Sequence, residues 1–76
     1  MKMSQISVVD EVRVYDGDLA YYDDWAIANG YEKRMDMRTL MFENGSSEEE
    51  VDEEEDRLWE LFVDWCDERG LTAMNI

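Results

Sequence analysis

Eight carboxylates occupy nine consecutive positions in this chain: Glu48, Glu49 and Glu50, then Asp52, Glu53, Glu54, Glu55 and Asp56, with Val51 the single interruption. Side chains of this kind can exchange protons, hold a cation, or present fixed negative charge to a basic surface. Acid–base catalysis needs two carboxylates in surroundings that drive their pKa values apart, and a dense run of like neighbours does not supply that. A calcium loop needs a central glycine and a terminal glutamate at fixed offsets, and neither the run nor Asp16-Gly17-Asp18 has them. Weak, unspecific cation condensation is expected in place of a dedicated metal site.

Other chemistries lack their residues. The chain has no histidine, so Ser–His and Cys–His nucleophiles and histidine-bearing zinc sites are ruled out. Cys66 is the only cysteine, which leaves neither a disulfide, a zinc cluster nor a redox pair. The four glycines are isolated and form no phosphate-cradling loop. The expectation is a protein that is not an enzyme and carries no cofactor.

Fixed charge remains. Seven basic residues face 21 acidic ones, a formal net charge of −14, beyond the ~2–8 that solubility asks of a small domain. Eight charges over nine helical residues span ~13.5 Å, or ~1.7 Å per charge, the axial charge spacing of duplex DNA. Direct binding to nucleic acid or anionic lipid is disfavoured, because both need Lys and Arg. The complementary partner is a basic protein surface.

The elements that would carry the run can be read in order. Residues 6–15 hold Ile6, Val8, Val9, Val12 and Val14 with strand-like alternation, and Asp10-Glu11 marks a bulge or a hairpin turn. Asp18 is a candidate N-cap for a helix over residues 19–29, with Leu19, Tyr22, Trp25 and Ala26 on its buried face and Gly30 ending it. Residues 31–43 alternate Met35, Met37, Thr39 and Met41 with polar neighbours, which favours a strand paired with the first, although Met, Arg and Leu also suit a helix. Lys33, Arg34 and Arg38 lie there as solvated strand ends or as intramolecular partners of acids, in preference to a contact role.

Ser47 and Glu50 have the spacing of a capping box, as do Ser46 and Glu49 one residue earlier. A helix then runs over residues 48–69, closed by Gly70, with a short tail docked through Leu71, Met74 and Ile76. At 100° per residue, Val51, Leu58, Leu61, Phe62, Trp65 and Cys66 share one stripe, which Glu54 and Glu55 interrupt. Burying two unpaired carboxylates is costly. The expectation is a divided helix: residues from Leu58 onward pack, while the first two turns overhang the domain or face solvent, with Val51 at the edge of the core. Glu60, Asp64, Asp67 and Glu68 continue the acids down the outer face, and Trp59 with Val63 offers a face for self-association as a homodimer.

The expected fold is a small single α+β domain, two short antiparallel strands or a hairpin with two helices, the C-terminal helix long and acidic. Residues 1–10 lack the apolar core of a signal peptide and no run reaches the ~18 apolar residues of a membrane helix, so a cytoplasmic, soluble protein is expected. A small, very acidic, histidine-free chain with Glu48 to Asp56 and the outer acids resembles the DNA-mimic inhibitors of phages and mobile elements, of anti-restriction and anti-CRISPR type. The resemblance is compositional and implies stoichiometric occlusion of a basic nucleic-acid-binding protein. The expected contacts are Glu48, Glu49, Glu50, Asp52, Glu53, Glu54, Glu55, Asp56, Glu60 and Asp64, with Trp59 or Tyr21 as an apolar anchor. The alternative is an acidic regulatory adaptor or antitoxin-like module that binds through apolar helix faces.

Overall fold

The fold, taken from a computed structural model that describes residues 5–75, has four strands and three helices. In chain order they are β1 (Gln5–Val9), β2 (Val12–Tyr15), β3 (Leu19–Tyr21), α1 (Tyr22–Ala28), α2 (Arg34–Glu43), α3 (Glu48–Glu68) and β4 (Thr72–Met74). The sheet runs β1-β2-β3-β4, antiparallel across the first two pairs and parallel between β3 and β4. The expected pair of strands with two helices is therefore corrected to a mixed four-stranded sheet with three helices.

The first hairpin turns at Asp10-Glu11. Both residues have positive φ, 49° and 69°, the backbone twist that lets a two-residue loop join strands of native twist. Val12 and Val14 are buried while Arg13 between them is exposed, the period-two alternation of a half-buried strand.

Leu19 to Tyr21, read as the start of a helix, is instead the strand that joins β2 to β4. Asp18 does not cap α1: it has φ 58°, and its carbonyl accepts a hydrogen bond from the Thr72 amide at 2.8 Å. Tyr21 occupies the N-cap position, with no side-chain capping hydrogen bond to the helix. The tail is likewise a strand, Leu19, Ala20 and Tyr21 pairing with Thr72, Ala73 and Met74; the expected docking of Ile76 lies outside the described residues.

Residues 34–43 form α2, not a strand. Met37 is buried and Met41 half-buried, four apart on one face, whereas Met35 is 67% exposed. The alternation of methionines was a coincidence of spacing, and the helical propensity of Met, Arg and Leu prevails once that face meets α3. The Asp23 carboxylate of α1 accepts from the Arg34 amide at 3.0 Å, which caps α2 from another element.

Helix α3 begins as its sequence indicates. Ser47 accepts from the Glu50 amide and the Glu50 carboxylate accepts from the Ser47 amide, a closed capping box. It ends in a Schellman turn: the Leu71 amide donates to the Cys66 carbonyl and Gly70 to Asp67, with Gly70 at φ 68°. Bonds of the same pattern close α1 at Gly30 and α2 at Gly45.

The core lies between the sheet and the helices. Val12 and Ala20 meet Tyr22, Trp25, Ala26, Met37, Leu58, Phe62 and Cys66. Phe62, fully buried, contacts the rings of Tyr22, Trp25, Trp59 and Trp65 at centroid distances of 5.5–6.5 Å. No helix of the described residues is long and apolar enough to cross a membrane.

Candidate functional site

The acidic half of α3 turns Glu48, Glu49, Glu50, Asp52 and Glu53 to solvent, as expected, but it is held on the domain by its other face. Val51 is fully buried, and α2 lies across the turns on either side of it. Arg34 Nε and Arg38 Nη1 both reach Glu55 Oε2 at 3.1 Å, and Arg38 also donates to Asp52 at 3.2 Å. On the same helix Arg57 pairs with Glu54 at 2.6 Å. The two carboxylates that interrupt the apolar stripe are thus half-buried and paired, which removes the cost of leaving them bare against the core. Hydrogen bonds to Glu55 and then to Asp52 hold the Arg38 guanidinium above its ordinary pKa, so this arginine stays charged.

Pairing changes the charge pattern of the run. Of the eight carboxylates, Asp52, Glu54 and Glu55 are matched by arginine. The other five, Glu48, Glu49, Glu50, Glu53 and Asp56, leave ~2.7 Å per charge over the same ~13.5 Å, well short of duplex DNA at ~1.7 Å. The equality of charge density suggested by the run does not survive folding.

A different pattern replaces it. Glu49, Glu53, Asp56, Glu60, Asp64 and Asp67 are all exposed, and none is in an ion pair among the described residues. Spaced four and three apart, they fall within an arc of about 80° on the helix at 100° per residue. The ridge they form is ~27 Å long, one carboxylate per ~5.4 Å, or about one per turn. All five arginines are engaged in ion pairs, Arg13 with Asp24 and Arg69 with Asp10 and Glu68 completing the set. None of the five arginines is in an ion pair with a ridge carboxylate.

The remaining expected contact residues divide. Glu48 is exposed at the first turn, and Glu50 is committed to the capping box, where the bonds with Ser47 hold its carboxyl below the usual carboxylate range. Trp59 is half-buried, its ring 6.3 Å from Tyr22 and 5.5 Å from Phe62; Val63 is half-buried as well. Tyr21 sits at the end of β3 with its ring edge-on to Tyr15 at 5.2 Å. Arg34 and Arg38, expected as solvated ends or as partners of acids, take the second role, with acids on α3 that the sequence did not identify. Their i, i+4 spacing opposite an acidic helix was the available signal, hidden while the segment was read as a strand.

Beside Trp59 is a cleft of about 150 Å³ lined by Tyr22, Arg34, Glu55, Asp56, Trp59 and Asn75. Tyr22 is 3% exposed and its hydroxyl is buried with no hydrogen-bond partner. Burial above all, then the carboxylates of Asp23, Glu55 and Glu54, raises its pKa, so the hydroxyl stays protonated. Cys66 is buried and its thiol is pushed up to about 11, chiefly by loss of solvent, which makes it a packing residue and not a nucleophile. Among the described residues no group of three or more acidic or cysteine side chains converges to hold a metal ion.

Comparison with known proteins finds no matching family model, no matching curated protein and no matching solved structure.

Proposed function

We propose that this chain is a non-enzymatic inhibitor that binds a basic, nucleic-acid-binding protein and occupies the surface nucleic acid would take. The observation that carries the reading is the ridge on α3: six exposed carboxylates from Glu49 to Asp67, unpaired among the described residues, on a helix whose other face is anchored by the core. A row of carboxylates one per turn suits a groove lined with Arg and Lys, through long-range attraction and charge-assisted hydrogen bonds. A host-defence nuclease in a bacterial cytoplasm is the kind of partner implied, in keeping with the resemblance to phage and mobile-element DNA mimics.

The test is charge reversal along the ridge. Glu49→Lys, Glu53→Lys and Glu60→Lys together change the net charge by three times +2, from −14 to −8, at positions that face solvent. Nucleic-acid-binding proteins captured from a bacterial lysate by the parent chain should be released by duplex DNA, and should not be captured by the triple variant. Capture that is equal in both chains, or indifferent to salt, refutes electrostatic occlusion.

A second reading, the acidic adaptor or antitoxin-like module, draws on α2, which leaves Met35 67% exposed and Leu40 and Phe42 each 44% exposed. Binding lost in Met35→Ser with Phe42→Ser, and kept in the ridge variant, would favour it.

A further inference from the structure

Two hollows on the side of α2 away from Arg34 and Arg38 run together into one groove. The larger of the pair, about 360 Å³, lies between the α1–α2 loop, α2 and α3, and Tyr31, Met37, Met41 and Leu58 give it a mostly apolar lining. The other shares Met41, Glu54 and Arg57 with it and carries the groove on to Glu50 and Glu53. Met37 and Leu58 are sealed by the core, but Met41 is half-buried and Tyr31 is 37% exposed. Leu61, 41% exposed, stands one turn beyond Leu58 on the same side of α3 and prolongs the apolar strip. The border is acidic. Glu32 and Glu53 are exposed and in no ion pair among the described residues. Arg57, the one cation lining the groove, is matched by Glu54 at 2.6 Å. Glu53 is also a ridge residue, so the groove opens onto the ridge.

From this combination of apolar floor and acidic border we infer that the groove between α2 and α3 receives a basic amphipathic helix of the partner. Two apolar side chains one turn apart seat against Tyr31 and Met41, and Lys or Arg on the two flanks meets Glu32 and Glu53. The inference rests on the basic partner of the proposed function and deepens it, by adding an apolar anchor beside the ridge. A volume of about 360 Å³ is more than twice the ~150 Å³ that admits a benzene ring, so two anchors fit where one would leave space. Methionine suits such a groove, because its unbranched, polarizable side chain repacks around what enters. Charge decides against the other occupants. A second copy of this chain would bring a further net charge of −14 to an acidic border, and anionic lipid headgroups would be repelled in the same way. Met35 and Phe42, on which the second reading draws, lie 100° or more round α2 from Met41 and belong to a different face.

The test uses the full chain with carbon-13 in its methionine methyl groups. The probe is an acetylated, amidated peptide of about 14 residues, Leu and Lys only, with its leucines on one helical face. A second peptide of the same composition, ordered so that no face is apolar, is the comparison. The Met41 methyl signal should shift and saturate with the amphipathic peptide, while the Met35 signal stays in place as an internal reference. Tyr31→Ser should weaken the peptide about tenfold, through loss of apolar contact. Glu32→Lys, at an exposed site where the fold is not at stake, should weaken it about fivefold, as expected of an exposed ion pair turned into a repulsion. Equal binding of the two peptides, a Met35 shift as large as that of Met41, or parent-like binding by both variants overturns the groove. The ridge has its own test in capture and DNA competition. Capture without peptide binding therefore removes the groove and keeps the ridge, and peptide binding without capture does the reverse.

Discussion

Truncating Val51 to Ala tests whether the acidic half of α3 stands on the domain. Val51 is fully buried, inside the most charged stretch of the chain and next in sequence to Asp52, which with Glu55 pairs with the arginines of α2. The substitution removes two buried methyl groups, ~1.6 kcal/mol at ~0.8 kcal/mol per carbon. A residual cavity brings the loss to about 2 kcal/mol, between the usual Ile→Val and Leu→Ala values. A 76-residue domain has a total stability on the order of 4–11 kcal/mol, so the effect is a large fraction of it. Urea unfolding followed by circular dichroism and tryptophan fluorescence should show the midpoint falling with an unchanged slope, and Tm should drop by about 8–16 °C. Leu61→Ala, at a site 41% exposed on the same helix, should cost less than about 1 kcal/mol. A Val51→Ala effect below about 0.5 kcal/mol would refute the reasoning: the first turns would then be unanchored and the ridge would lose its rigid support.

Three further outcomes are expected. Tyr22→Phe should stabilise the free chain by about 1–2 kcal/mol, because it deletes a buried hydroxyl that has no partner, and the same urea titration reads it. Glu50→Gln should be less stable than the parent at neutral pH, and the gap should close in acid: bonds to Ser47 lower the folded carboxyl below its ordinary 4.5, so its contribution is present above that value and is lost as pH falls through the depressed one. Cys66 should react with a thiol reagent only as fast as the domain opens. Stability should also fall from about pH 9 towards 11, because the unfolded thiol ionises near 9.0 while the folded one stays protonated up to about 11.

What could be read from the residues was what local chemistry determines. Ser47 and Glu50 announced the start of α3 and Gly70 its end, because caps are short-range devices with few substitutes. Trp25 and Tyr22 were expected in the core and are there. The misreadings share a cause, which is that distant partners decided the outcome. Leu19 to Tyr21 has helical spacing with Tyr22 and Trp25, but β2 and β4 claim it as a strand. Thr72 to Met74 is too short to signal anything by itself. Glu54 and Glu55 looked like a break in the buried stripe because their arginines lie on α2 and in the next turn of α3. The ridge was visible only in part, since its definition depends on knowing which acids are already matched.

The parallel pairing of β3 with β4 governs how the domain must assemble. Residues 19–21 and 72–74 are separated by all three helices, so the sheet closes only after a long loop has been brought together, an entropic step that slows folding. Until it closes, the Phe62 and Cys66 face of α3 has lost one of its covers and would invite association between chains. A net charge of −14 repels such encounters at the stage when they are most dangerous. The acids that make the native surface distinctive also keep incompletely folded copies apart.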